Sequence, residues 1–374
     1  MISVLFLIPT LDRGGAENVL VNLVNNMDQS KFQITVQTLF DKDSQKDSLR
    51  PGIEYRSFLY KQCHGNSRLQ ARIPAKLLYR LIVGKRYDIV VSYLEGPTSH
   101  ILSGCPYRDT KKVAWFHSAL TSERGFRAGF ASKTAAIHAY LQYDSIVYVA
   151  GTVKDKIEEI AGHILPNPFV LYNTLNVEEI RTKALERRTG KLFHDEEMNL
   201  VSVGKLAPVK GYDRLARVHK RLRAEGYPCH VYLLGEGKAR KEIEQYLAEN
   251  GLESSFSLLG FQENPYQYVK EADLFICSSR REGFSTATTE ALILGTPVCT
   301  TDVSGMREML GDSEYGLITE NSEEALYHGI KCLLDDPALR AHYRDMARKR
   351  GEHFCTDRTV HAVEEMFLGL QSCR

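Results

Sequence analysis

Two carboxylates, Glu282 and Glu290, stand eight positions apart around a small, hydroxyl-rich turn, Gly283-Phe284-Ser285-Thr286-Ala-Thr288-Thr289. An apolar run, Ala-Leu-Ile-Leu, follows directly. The hydroxyls suit a helix N-terminus, where unpaired backbone N–H groups and the helix dipole attract anions. Glu290 then falls inside the helix, about one turn along, and Glu282 stands before the turn. A ligand with a diphosphate in its middle, a sugar at one end and a ribose at the other would use all three features. Its phosphate oxygens take the N–H groups, and each carboxylate accepts hydrogen bonds from hydroxyls.

Other residues could share that chemistry. Lys205 and Lys210 lie in Gly204-Lys205-Leu-Ala-Pro-Val-Lys210-Gly211, just after an apolar run Leu200–Val203. Cations there can meet a leaving diphosphate and stabilise the charge that grows on it. Gly14 and Gly15 permit close backbone approach to a ligand. His117 ends the run Val113–Phe116, and Phe261 follows Gly260 at the end of Phe256–Leu259. Arg280 and Arg281 adjoin Glu282, and the sequence does not choose which of them could contact phosphate or base.

The elements that must hold these residues follow one pattern twice. Strand Val4–Ile8, the turn at Gly14-Gly15, a helix over about 16–26 and strand Ile34–Phe40 form a β–turn–α–β unit. Further strands are expected at Ile89–Ser92, Val113–Phe116 and Ile146–Val149. The second half repeats the scheme with strands Leu200–Val203, Val231–Leu234, Phe256–Leu259, Leu274–Ser278 and Val298–Thr300, and a helix over about 212–225. Short apolar runs between polar helices are what a parallel sheet buried on both faces requires. A last helix is expected over about 358–370. The fold class is therefore α/β, with two doubly wound parallel-sheet domains, and ligands belong at the C-terminal ends of the strands.

The Glu282-to-Glu290 segment, continued by Gly295-Thr-Pro297-Val and Thr301-Asp302-Val-Ser-Gly305, resembles the Glu-x7-Glu motif of retaining nucleotide-sugar glycosyltransferases of family 4 (glycosyl transferases group 1). The likeness extends over nearly the whole chain, and the Glu282–Val298 stretch looks most like bacterial enzymes that build capsular or other cell-surface polysaccharide on a lipid carrier. It implies the GT-B architecture, two Rossmann-like domains facing a central cleft. The expected division is 1–171 for the acceptor-side domain, 172–353 for the nucleotide-sugar domain, and 354–374 for a helix crossing back to the first. The resemblance further implies a catalytic set of His117, Glu282 and Lys210. It places Gly14, Gly15, Lys205, Lys210, Phe261, Glu282, Gly283, Phe284, Ser285, Thr286 and Glu290 around the donor. Glu282 would bind hydroxyls of the sugar, Glu290 the ribose, the lysines the diphosphate, and the Phe261 loop the base. The family carries an arginine where this chain has Lys205, which keeps the charge and loses the bidentate fork. The implied reaction is transfer of a hexose or N-acetylhexosamine from a nucleotide diphosphate sugar, with a UDP-sugar expected, to a saccharide or a polyprenyl-diphosphate-linked acceptor. A nucleotide-sugar epimerase or a non-catalytic subunit of the same fold are the competing readings.

No cofactor or metal is expected. Asp41-Lys-Asp43 has the D-x-D form of metal-dependent transferases but lies in a polar loop, and the lysines and helix N-terminus would replace Mg²⁺. With 43% apolar and 25% charged residues the composition is that of a soluble globular protein, and a formal net charge of +1 names no partner. Eight scattered cysteines without a C-x-x-C pair read as reduced thiols of a cytoplasmic protein. No apolar run approaches the roughly 20 residues of a membrane helix, and the N-terminal apolar stretch reads as a buried strand. Between Tyr55 and Tyr87 there are eight Lys/Arg and no Asp or Glu. There Arg68, Arg72, Lys76 and Arg80 recur every four residues, as do Leu69, Ile73, Leu77 and Leu81, and Pro74 either lies inside the pattern or marks the first turn of a shorter helix. That segment is either a solvated helix packed on the first domain through its apolar row, or a contact with an anionic membrane's inner face or a lipid diphosphate. It carries no aromatic stacking pattern for nucleic acid.

Overall fold

A computed structural model describes the chain except for residues 13, 42–44, 60–70, 187–192, 194–195 and 373–374. Asp43 of the D-x-D triplet, and Lys61, Arg68 and Leu69 of the basic segment, lie outside the described residues. The chain forms two compact units, one of Met1–Leu175 with Thr356–Arg374 and one of Asn176–Cys355.

The first unit is built on a seven-stranded parallel sheet in the order β3-β2-β1-β4-β5-β6-β7. The strands are β1 (Ile2–Ile8), β2 (Phe32–Phe40), β3 (Glu54–Leu59), β4 (Ile89–Ser92), β5 (Lys111–Phe116), β6 (Ser145–Tyr148) and β7 (Pro168–Val170). Val4 to Ile8 are fully buried, as a strand covered on both faces demands. The chain winds outward from β1 to β3, then returns to β4 on the other side of β1, which puts the switch point of the sheet between β1 and β4. The last helix, Thr356–Ser372, belongs to this unit. Its apolar row Val360, Val363 and Phe367 is buried. Phe367 stands 6.0 Å from Phe6 and 6.1 Å from Phe32, ring to ring.

The second unit carries a six-stranded parallel sheet, β10-β9-β8-β11-β12-β13. Its strands are β8 (Met198–Val203), β9 (Cys229–Leu234), β10 (Phe256–Gly260), β11 (Leu274–Cys277), β12 (Val298–Thr301) and β13 (Leu317–Thr319). The same outward-and-return winding makes β8 and β11 neighbours at the switch point. Leu215, Leu222, Leu233, Leu247, Ile276 and Ile330 belong to one buried cluster between sheet and helices.

The expected strands are present with ends shifted by a residue or two. β3, β7 and β13 were not expected. All three are outermost in their sheets and none presents a continuous buried run. The basic segment departs from its expected pattern. Pro74 caps the helix Ala75–Ile82, in line with the reading of this proline as the start of a shorter helix. Its buried row is Leu78, Tyr79 and Ile82, while Leu77 and Leu81 of the anticipated apolar row face solvent. Among the described residues no helix is long and apolar enough to cross a membrane, and every described cysteine is free.

Candidate active site

In the second unit the switch point brings two loops together. One follows β8 and runs through Lys205 to the short turn Pro208–Lys210 and the helix Tyr212–Ala224. The other follows β11 and runs through Ser278 to the helix Thr286–Leu294. Gly211 makes the approach possible. It adopts φ +68°, and a Cβ there would lie 2.1 Å from the Ser278 carbonyl oxygen.

Hydrogen bonds then fix the loops to each other. The Ser278 hydroxyl donates to the Lys210 carbonyl at 2.9 Å, and the Arg280 N–H donates to the Val209 carbonyl at 2.8 Å. Arg280 also forms a fork onto Asp213, at 2.6 and 2.7 Å. That pairing, more than any open position, is where Arg280 is committed.

The centre of the clamp is Arg214, a residue that sequence reasoning missed. Its guanidinium is buried and donates to the carbonyls of Ser278 (2.8 Å) and Ser279 (2.6 Å) and to Asn321 Oδ1 (2.9 Å). Asn321 in turn donates to the Arg280 carbonyl at 3.0 Å, and Thr301 Oγ1 donates to the Ser279 carbonyl at 2.6 Å. A signal existed. Arg214 shares the helical row of Val218 and Leu222, which are buried, and a charge in an apolar stripe needs buried partners.

The clamped loop delivers Glu282 to Lys210. Lys210 Nζ donates to both carboxylate oxygens, at 2.7 and 3.0 Å, and Ser279 Oγ donates to one of them. Side-chain exposure is 26% for Lys210 and 10% for Glu282, so the pair is shielded yet reachable. Burial alone would lower the Lys210 pKa, but the adjacent Glu282 carboxylate outweighs it and holds the ammonium above its ordinary range. The family resemblance assigns the two residues separate ligand partners. In the structure the two are paired with each other. Lys205 is exposed and makes no hydrogen bond or ion pair with a described residue.

Beyond Phe284, Ser285 caps the helix Thr286–Leu294, accepting from the Thr288 N–H at 3.3 Å. The N–H groups of Thr286 and Ala287 have no acceptor among the described residues, as befits the first turn of a helix. Phe284 is buried beneath this turn, and so is Gly283. Glu290, inside the helix, accepts no hydrogen bond from a described residue, and burial pushes its carboxyl up to about 7. Phe261 is 49% exposed beside Gly260 at the end of β10.

The first unit holds the other expected residues. Gly14 caps the helix Gly15–Asn26, and a Cβ on it would lie 2.2 Å from a Glu17 carboxylate oxygen. The glycine therefore leaves room for Glu17 to fold back over the turn, where Thr10 reaches it at 3.4 Å. His117 follows β5, its ring 4.6 Å from that of Tyr93 and stacked on Trp115 at 5.9 Å. Its Nε2 is buried without a hydrogen-bond partner among the described residues, and burial lowers its pKa to about 3. The His117 N–H donates to Glu95 at 3.0 Å, and burial raises the Glu95 pKa against the pull of that bond. Glu95, a second residue missed from sequence, lies in the loop after β4, at the switch point of this unit. Among the described residues no three His, Cys, Asp or Glu side chains gather as a metal site.

The two parallel α/β sheets match those of solved GT-B glycosyltransferase structures. Residues 13–179 match the model of Glycosyltransferase Family 4 and residues 185–350 that of glycosyl transferases group 1. Between them these span most of the chain, which belongs to this family. A Campylobacter jejuni N-acetylgalactosamine-N,N'-diacetylbacillosaminyl-diphospho-undecaprenol 4-alpha-N-acetylgalactosaminyltransferase is 33% identical over 219 residues, 57% of this chain and 58% of its own. A Staphylococcus aureus capsular polysaccharide biosynthesis glycosyltransferase, CapM, is 26% identical over 47% of this chain and 46% of its own. The chain thus aligns with about half the length of these curated relatives. A solved structure of Anabaena Alr3699/HepE in complex with UDP superposes with a TM-score of 0.76 at 17% identity, covering 98% of this chain and 100% of that one, a likeness of fold.

Two outcomes are expected from this geometry. Arg214→Met should lower the unfolding free energy in urea by about 2–4 kcal/mol, because it removes the Arg214 donor from the buried Ser278 carbonyl and leaves Ser279 with Thr301 alone. Arg214→Lys should recover only part, and a loss below about 1 kcal/mol would show that the clamp is not structural. For Glu290 the folded pKa, about 7, lies above the ordinary 4.5. The carboxyl's favourable contribution is therefore complete below the lower value and lost as pH rises through the upper one. Glu290→Gln should accordingly gain stability relative to the parent between about pH 5 and pH 8, by roughly 1–3 kcal/mol. A difference that does not change with pH would contradict the assignment.

Proposed function

We propose that the chain is a retaining, metal-independent hexosyltransferase. It moves a hexose or N-acetylhexosamine from a nucleotide diphosphate sugar, with a UDP-sugar the favoured donor, to a hydroxyl of a saccharide or polyprenyl-diphosphate-linked saccharide. The observation that carries this reading is the Lys210–Glu282 pair beside the open N–H groups of Thr286 and Ala287. A sugar hydroxyl can replace Lys210 as donor to Glu282, and the freed ammonium can turn to phosphate.

In the reaction the bond from the anomeric carbon to the β-phosphate oxygen breaks. The acceptor oxygen forms the new bond on the same face, and its proton passes to the leaving phosphate. Negative charge grows on that phosphate. Lys210, Lys205 and the helix N–H groups supply fixed positive field for it, which stabilises the transition state more than the ground state. This is the basis for proposing metal independence. No carboxylate nucleophile is required. His117, neutral at physiological pH, suits hydrogen bonding to an uncharged hydroxyl and not proton shuttling.

The name of the Campylobacter relative, with its N-acetylgalactosaminyl group and diphospho-undecaprenol, supports an amino sugar and a lipid-linked acceptor. The UDP complex of HepE supports the choice of nucleotide. An acceptor on a polyprenyl diphosphate is held at a membrane, so the chain would work as a cytoplasmic protein at the inner face, in glycan synthesis.

Glu282→Ala should reduce sugar transfer by on the order of 10² or more in a chain that still unfolds cooperatively, at a lower temperature because Lys210 loses its partner. Turnover close to that of the parent would remove Glu282 from the reacting sugar. Melting curves with UDP, GDP, ADP and their sugars in EDTA should show a selective rise with the uridine series. A rise with another series would change the donor, and NMR of a sugar epimerised but not transferred would replace the reaction.

A further inference from the structure

Three buried polar atoms of the first unit have no hydrogen-bond partner among the described residues, and their side chains sit together. They are the Tyr93 hydroxyl, the Trp115 indole nitrogen and Nε2 of His117. Trp115 and His117 alternate onto one face at the end of β5, and Tyr93 leaves the neighbouring β4. The Tyr93 ring lies 4.9 Å from that of Trp115 and 4.6 Å from that of His117. The planes of Trp115 and His117 are 18° apart. Phe6, 5.8 Å from Tyr93, packs on the cluster from β1. Tyr93 and Trp115 are 0% and 3% exposed, whereas His117 is half-buried. Nε2 is its buried ring nitrogen, which leaves Nδ1 on the open side. The main chain is fixed as well. The His117 N–H donates to Glu95 at 3.0 Å, and Thr98 Oγ1 holds the turn that carries Glu95 by donating to the Leu94 carbonyl at 2.6 Å.

We propose that Tyr93 and Trp115 are positioning residues that hold His117 in the tautomer with its hydrogen on Nδ1, so that the ring offers an N–H donor to an oxygen of the reacting sugar. Charge does not set this choice. Burial alone raises the Tyr93 pKa and burial alone lowers that of His117, with no charged side chain contributing to either. The ring is neutral, so one nitrogen carries the hydrogen and the other a lone pair. The neighbours decide which. An indole N–H can only donate, and a phenol can donate as well as accept. A hydrogen on Nε2 would point into a cluster that already holds two hydrogens and one acceptor. A lone pair there meets two donors. A water shared by the three groups leads to the same polarity. It accepts from Trp115 and donates to Nε2 and to the Tyr93 oxygen, and no buried hydrogen is left over. Nδ1 then carries the hydrogen at the C-terminal end of β5, where doubly wound domains take their ligands. The inference rests on the proposed sugar transfer only for what Nδ1–H meets. The tautomer belongs to the chain itself.

The test is long-range ¹H–¹⁵N NMR of the full-length chain labelled at its histidine nitrogens, with neither donor nor acceptor present. The His117 signals are picked out from those of the 12 histidines by their loss in His117→Asn. The expected result is a neutral ring with its hydrogen on Nδ1 between about pH 6 and pH 8. A hydrogen on Nε2, or an even mixture of the two forms, overturns the proposal. Tyr93→Phe keeps the ring and removes one hydroxyl, and Trp115→Phe removes the indole N–H. Each should raise the minor form, hydrogen on Nε2, by roughly fivefold to tenfold. A ratio unchanged in both variants overturns the positioning role. Sugar transfer gives a second readout. Asparagine can place an N–H near Nδ1, and glutamine reaches toward Nε2 instead. His117→Asn should therefore retain about tenfold more transfer than His117→Gln, and the reverse order overturns the assignment of Nδ1 as the donor. A chain that shows the Nδ1–H tautomer but transfers no sugar would refute the proposed reaction and leave the tautomer standing.

Discussion

The candidate site depends on one constraint, the attachment of the β11 loop to the β8 loop through the buried guanidinium of Arg214. A parallel sheet brings the ends of β8 and β11 side by side but does not fix the path of the loops that leave them. Arg214 does so by donating to the buried carbonyls of Ser278 and Ser279, the second of which it shares with Thr301. With the loop held there, Ser279 and Glu282 meet Lys210, and the helix that begins at Thr286 starts two residues beyond Phe284. Replacing Gly211 by any other residue would force these loops apart, since its missing side chain is the space that the Ser278 carbonyl occupies.

The electrostatics are set by that placement. Lys210 and Glu282 are close enough to cancel, which leaves the helix terminus and the exposed Lys205 as sources of positive field. A sugar diphosphate separates the two roles, carboxylate to hydroxyl and ammonium to phosphate, without moving either residue from its backbone position. Glu290 is the contrasting case. It has no donor among the described residues and is pushed toward protonation by burial. A pair of hydroxyl donors would draw it back to the ionised form, which couples its titration to occupancy.

Much of this was legible in the sequence, and the reasons for success and failure are physical. The Glu282-to-Glu290 spacing and the run of Ser and Thr before an apolar helix are local signals, and the structure places Ser285 as the cap. Both alternating β/α patterns were readable because the central strands carry short, mostly apolar runs between polar helices. The edge strands β3, β7 and β13 were not, because each has one side without a partner and needs no such run. The Arg214 clamp spans partners up to 107 positions away and leaves no local motif. Glu95 was missed for the same reason, since its tie to His117 crosses from β4 to β5. The helix at Ala75–Ile82 shows the limit of periodicity. A repeat of four marks rows on a helix, but two adjacent rows both contained leucines, and only packing decides which one is buried.

The most direct test of the account is calorimetric titration of UDP into the chain with EDTA and with Mg²⁺, for the parent and for Lys210→Gln. If the chain's own cations and helix N–H groups hold the diphosphate, the parent should bind equally well in both buffers, and the variant should bind at least about tenfold more weakly in both. Binding that appears only with Mg²⁺, or an affinity indifferent to Lys210, would contradict it.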